Sequence, residues 1–179
     1  MDLPIDSKSS DFHVYSKGDI LLKRLLDYYT IENMTMLSDI TQGRTNLSLR
    51  IIDWFVTNYS KNKGVRYNYN GCDVTVYTDY KNQLRAFSKK MFDPFCRRKR
   101  EEIEGIGTTT IGQMNFFKWA IEKGVLNYIF LNAKEIERSM NEASTLKNKK
   151  NGMTQVNSMV KTQEKPGFIR EIGSEFVVK

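Results

Sequence analysis

The sequence predicts an α+β protein: a mainly helical single domain with one β-hairpin at about residues 65–77 packed on its helices, and an extended C-terminal tail. Three observations predict it. Apolar residues recur at helical spacing through most of the first 144 positions, an Asn70-Gly71 turn separates two short alternating runs, and hydrophobes become scattered after Ser144. Residues 1–144 therefore read as the helical body and 145–179 as a polar tail. With 179 residues, 40% of them hydrophobic and 12% aromatic, the chain can bury roughly two-thirds of its unfolded surface in one core.

In chain order, Gly18–Thr30 reads as a helix, with Asp19 placed to cap it and Leu21, Leu25 and Tyr28 along one side. The next stretch, IENMTMLSDITQGR, is less periodic and reads as a short helical or irregular connector ending at Gln42-Gly43. In TNLSLRIIDWFVTNYSKN, the residues Ile51, Ile52, Phe55, Val56 and Tyr59 form a core-facing stripe, with Thr45 or Asn46 as the expected cap. Trp54 lies on its flank, where it can cover the stripe or meet a partner.

The alternation of Val65, Tyr67 and Tyr69 with Arg66 and Asn68, and of Val74 and Val76 with polar neighbours, predicts two strands joined at Asn70-Gly71 in a type I′ turn. Thr78 is then the expected cap of DYKNQLRAFSKKMF, whose inner stripe is Tyr80, Leu84, Phe87 and Met91. Asp93-Pro94 should end this helix, because the residue before proline is pushed out of the α region. Further on, Thr110 and Gln113 form a capping-box pattern before IGQMNFFKWAIEKG, with Met114, Phe117, Ala120 and Ile121 facing inward and Gly124 closing the helix in the left-handed conformation. VLNYIFL is compatible with a buried strand or a short helix. Asn132 and Glu135 suggest another capping box before a last helix bearing Ile136, Met140 and Ala143. Phe168, Ile169, Ile172, Phe176 and Val177 are candidate anchors that hold the tail on its own domain or on a neighbouring chain.

The net charge of +7 is local: residues 61–100 hold 11 Lys or Arg against 3 Asp or Glu, while the segments on either side are nearly balanced. Concentrated charge creates a field that attracts polyanions. Lys81, Arg85, Lys89 and Lys90 lie off the apolar stripe of their helix and lead into Arg97, Arg98, Lys99 and Arg100, so these eight are the candidate nucleic-acid-binding residues, forming one ridge. Glu101, Glu102 and Glu104 decide its fate. Folded back at helical spacing they would neutralise the cations as a salt-bridged surface helix; pointing away they leave a polyanion site.

Catalysis finds little support in the residue inventory. His13, the chain's one histidine, lies in a polar arm, so no base stands near a nucleophile, and Cys72 and Cys96 have neither zinc nor redox spacing. GIGTTTIG lacks the lysine of a phosphate loop. No enzymatic activity, cofactor, metal site or small-molecule substrate is expected. MDLPIDSKSSDF lacks the pattern of a secretory leader, and the longest apolar run, Val125 to Leu131, falls well short of the roughly 20 residues that span a bilayer, so no membrane partner is expected.

Three segments, SLRIIDWFVTNYSKN, YKNQLRAFSKKMFDPFCRR and TTIGQMNFFKWAI, resemble proteins of unassigned function from large nucleocytoplasmic DNA viruses, over about Ser48 to Ile121. The resemblance implies a setting in host cytoplasm or virion, with a viral genome or capsid as partner. The expected function is a basic viral protein that binds nucleic acid, DNA foremost, through phosphates with little sequence specificity. The alternative is a structural or assembly protein, such as a minor virion component, whose tail docks on other virion proteins.

Overall fold

The computed structural model describes residues 16–150 and the short strand Val177–Val178; His13 and the tail anchors Phe168, Ile169, Ile172 and Phe176 lie outside the described residues. The body is mainly helical and carries two small antiparallel hairpins, one more than the sequence predicted.

Helix α1 (Lys17–Tyr28) starts one turn earlier than expected: Ser16 is its cap, and Asp19, at the third helical position, accepts from the Ser16 amide at 2.9 Å in a reciprocal capping box. The connector proves to be a helix, α2 (Ile31–Thr41), capped by Thr30. Helix α3 (Leu49–Trp54) begins at Ser48, whose hydroxyl accepts from Ile51 N at 3.2 Å, and not at Thr45 or Asn46. The reason is local, since the Thr45 hydroxyl is engaged with Leu47 in a turn of its own. This helix widens into a π-helical turn (Phe55–Tyr59) before a closing α4 (Ser60–Lys63). Its predicted stripe is buried throughout, and Trp54 is half-buried against the core.

Strands β1 (Arg66–Tyr69) and β2 (Cys72–Thr75) pair as expected, with Tyr69 opposite Cys72 and positive φ at both Asn70 (50°) and Gly71 (77°), as a type I′ turn requires. β1 also pairs with β5 (Val177–Val178), Asn68 standing opposite Val177, so the hairpin gains a third strand. Helix α5 (Val76–Met91) follows β2 without a loop and begins ahead of Thr78, because Val76 is fully buried and its amide donates to Val65 O, completing the hairpin from within the helix.

β3 (Glu101–Ile103) and β4 (Gly107–Thr109) form the second hairpin. It leads into α6 (Ile111–Glu122), α7 (Val125–Leu131) and α8 (Ala133–Lys150). Gly124 separates α6 from α7 at φ 65°, as expected, and VLNYIFL is the helix α7. At the start of α8 the Asn132 side-chain amide donates back to Tyr128 O. The helix runs to Lys150, past Ser144.

Two aromatic clusters tie these elements together. Tyr128 of α7 lies between Phe55 and Tyr67, with ring centres 5.3 and 5.1 Å away, and the Tyr67 hydroxyl donates to Lys123 O at 3.0 Å, fixing the first hairpin on the α6–α7 junction. Phe92, Phe116, Trp119 and Tyr80 form the second, with Phe92 ring centres 5.2 Å from Phe116 and 5.6 Å from Trp119. Such ring pairs contribute beyond their buried area. Phe92 is therefore the residue that pins the end of α5 to the core.

Candidate nucleic-acid interface

The amphipathic pattern of α5 places its chemistry. Tyr80 is buried and Leu84 and Phe87 pack on the core, which leaves Lys81 and Arg85 exposed, one turn apart on the outer side. The helical line ends at Ser88, whose backbone (φ 58°, ψ 168°) occupies a region that only glycine adopts without strain. Lys89 and Lys90 are exposed beyond this break. The expected continuous ridge is thus divided: two cations precede the break, two follow it, and four occupy a separate loop.

α6 holds the segment after the break. Asn115 Nδ2 donates to Met91 O at 2.8 Å, Asp93 N donates to Gly112 O at 3.2 Å, and Gln113 Nε2 donates to Pro94 O at 2.9 Å. Gly112 permits this approach, since a Cβ there would stand 3.0 Å from Lys90 O. Gln113 is buried and its Oε1 accepts from the Thr109 hydroxyl, so half of the expected capping box forms: Thr110 accepts from Gln113 N, while the Gln113 side chain is spent on the loop. The sequence signal was two amide side chains inside the apolar run IGQMNFFKWAI.

Arg97 is the most restrained of the loop cations. Its guanidinium lies 4.2 Å from the Phe95 ring centre and 3.6 Å from an Asp93 carboxylate oxygen, and Asp53 is a further acidic neighbour. Burial first, and the nearby Asp93 second among raising causes, push the Asp53 carboxyl above the usual range, with Arg97 and Lys89 opposing. Burial and the same two carboxylates push Tyr80 up to about 12.

The acids after the loop pair with one of its four cations. They lie in and beside β3, so helical pairing is overturned: Glu101 meets Lys99 alone, at 3.0 Å, and Glu102 accepts from the Thr108 hydroxyl across the hairpin. The hydrogen bond and charge of Glu101 raise the Lys99 pKa. Lys81, Arg85, Lys89, Lys90, Arg98 and Arg100 are exposed and form no ion pair among the described residues. One cation missed from the sequence is Lys61 at the end of α4, exposed and 5.7 Å from the Tyr77 ring centre on the first turn of α5. Its place in the basic 61–100 segment was the available clue.

Beside the loop lies a cavity of about 240 Å³, lined by Gln42, Leu49, Cys96, Ile106, Thr108 and Gln113 among others. Among the described residues no group of His, Cys, Asp or Glu side chains is arranged to hold a metal ion, and no helix is long and apolar enough to cross a membrane.

Residues 4–170 match a family described as of unknown function, DUF7197. The chain is also similar to "Uncharacterized protein L507" of Acanthamoeba polyphaga mimivirus, at 43% identity over 159 residues, covering 81% of this chain. The match spans 61% of the relative's own length. No solved structure matches. The resemblance to proteins of large nucleocytoplasmic DNA viruses, expected from three segments, is borne out.

Proposed function

We propose that this chain, which belongs to the DUF7197 family of unknown function, is a non-enzymatic protein that binds nucleic acid, DNA foremost, through its phosphates with little sequence specificity. The observation that carries the reading is the set of six exposed cations, Lys81, Arg85, Lys89, Lys90, Arg98 and Arg100, that form no ion pair among the described residues. Their separation onto helix, helix end and loop suits a bent or flexible backbone more than one straight groove. Arg97 and Lys99, each held by an acid, orient the loop. With a viral relative, the setting we propose is host cytoplasm or virion, and the partner a viral genome.

The test is salt dependence. If about six cations engage duplex DNA, counterion release lowers affinity on the order of a thousandfold between 50 and 200 mM salt. Replacing Arg98 and Arg100 by Gln should flatten the slope by about two counterions. A flat response in the parent chain, or unaltered binding in the double variant, removes this reading.

A second reading, an assembly protein, is favoured by the pairing of β5 with β1. The same edge of β1 can take Val177–Val178 from another copy or a partner. Deleting residues 145–179 should then abolish association while the body stays folded; association that survives the deletion refutes it.

A further inference from the structure

We infer that the cavity beside the cation loop takes an unpaired nucleobase, carried on a strand whose phosphates lie on Arg98 and Arg100. This rests on the nucleic-acid reading and specifies the form of the ligand as single-stranded.

The chain path joins cavity to cations. It leaves the cavity wall at Cys96, runs through Arg97–Arg100, and returns to the wall through the β3–β4 hairpin at Ile106 and Thr108. The phosphate-binding groups are thus the loop that begins and ends on the cavity. Ile106 and Gln113 are buried and form its floor, while Gln42 and Thr108 are exposed at its mouth. A volume of about 240 Å³ lies below the roughly 300–1,000 Å³ that drug-sized ligands occupy, which suits one heteroaromatic ring system. Leu49, half-buried in the wall, offers aliphatic surface to a ring face.

Few polar groups remain to read the base. The Gln113 amide is committed to Pro94 O and the Thr109 hydroxyl, Gln42 Nε2 donates to Ser38 Oγ while its Oε1 accepts from Arg44, and the Thr108 hydroxyl donates to Glu102. A cavity so occupied with itself selects a ring by shape, which agrees with low sequence specificity. A base within a duplex cannot enter, because its edge is paired and its faces are stacked.

The two cysteines supply the test on the native chain. Cys96 lines the cavity and Cys72 is exposed on β2, so each is a reporter for the other. Alkylation by N-ethylmaleimide is followed at both by mass spectrometry, with a thymidine oligonucleotide, an abasic oligomer of equal length, a duplex, or thymidine monophosphate present. The oligonucleotide at about ten times its dissociation constant should slow Cys96 on the order of tenfold, the unbound fraction being about a tenth, and leave Cys72 unchanged. Equal protection by the abasic strand or by the duplex would show that phosphates alone cover the thiol, and equal protection by the mononucleotide would remove the strand; any of these overturns the inference. In parallel, Thr108→Trp plugs the mouth. It should weaken the oligonucleotide roughly tenfold and spare the abasic strand; parental binding of both overturns the inference whatever the thiol does. If the abasic strand binds and Cys96 stays open with every ligand, the cavity assignment fails alone. If no strand binds, the nucleic-acid reading itself fails.

Discussion

The Gln113 side-chain amide donates to the carbonyl of Pro94 at 2.9 Å, so the first turn of α6 is tied directly to a proline in the irregular segment between α5 and β3. Both partners are buried, and the bond lies inside the protein rather than in competition with water.

Gln113→Met keeps the volume and removes the donor, leaving the Pro94 carbonyl buried and unanswered. The expected loss is about 1–3 kcal/mol of unfolding free energy, measured by urea denaturation. Unchanged stability would mean that the clamp contributes nothing.

Gly112→Ala should destabilise, against its helix propensity. Exchange of a helical glycine for alanine ordinarily gains about 1 kcal/mol, but here the new Cβ stands 3.0 Å from the Lys90 carbonyl oxygen, which is main chain and cannot swing aside. A rise in melting temperature would show that α6 does not approach the α5 terminus so closely.

Ser88→Gly should stabilise by about 1 kcal/mol, because glycine occupies φ 58°, ψ 168° without the strain that a Cβ brings. Ser88→Ala should not. The pair compared in denaturant separates backbone relief from loss of the hydroxyl, which accepts from Lys90 N at 3.3 Å in an exposed position.

Asp53→Asn tests pH dependence. Burial raises this carboxyl in the folded state, so the folded protein holds the proton more tightly than the unfolded chain does. The contribution of Asp53 is then fully present below its unfolded pKa and lost as pH rises through the folded one. The variant should be the more stable protein at neutral pH, and that advantage should shrink on acidification. A thermal-melt series across pH that shows no such convergence would contradict the assignment.

Local signals in the sequence located most elements. Asn70-Gly71 specified the first hairpin because the turn chemistry is complete in two residues, and Thr110 and Gly124 bounded α6. The second hairpin was hidden: EEI and GTT are three-residue strands rich in charge and hydroxyls, and their pairing is visible only across the turn. The break at Ser88 was hidden for a different reason, since Leu84, Phe87 and Met91 keep helical spacing through it; burial of Phe92 and the amides of α6 impose it from outside the segment. All eight candidate cations are exposed, four as their positions off the stripe of α5 suggested and four in the run beyond Pro94. Which of them an acid would answer depended on the fold of Glu101 and Glu102, and that was not written locally.

Pro94 and β3 fasten the four-cation loop at both ends, so its main chain is ordered before any partner arrives. Docking then has to immobilise long side chains and little else. Encounter with a polyanion should accordingly be fast, set by long-range attraction, and for an abasic strand, which meets the loop alone, calorimetry should register a small heat capacity change, because scarcely any apolar surface is hidden there.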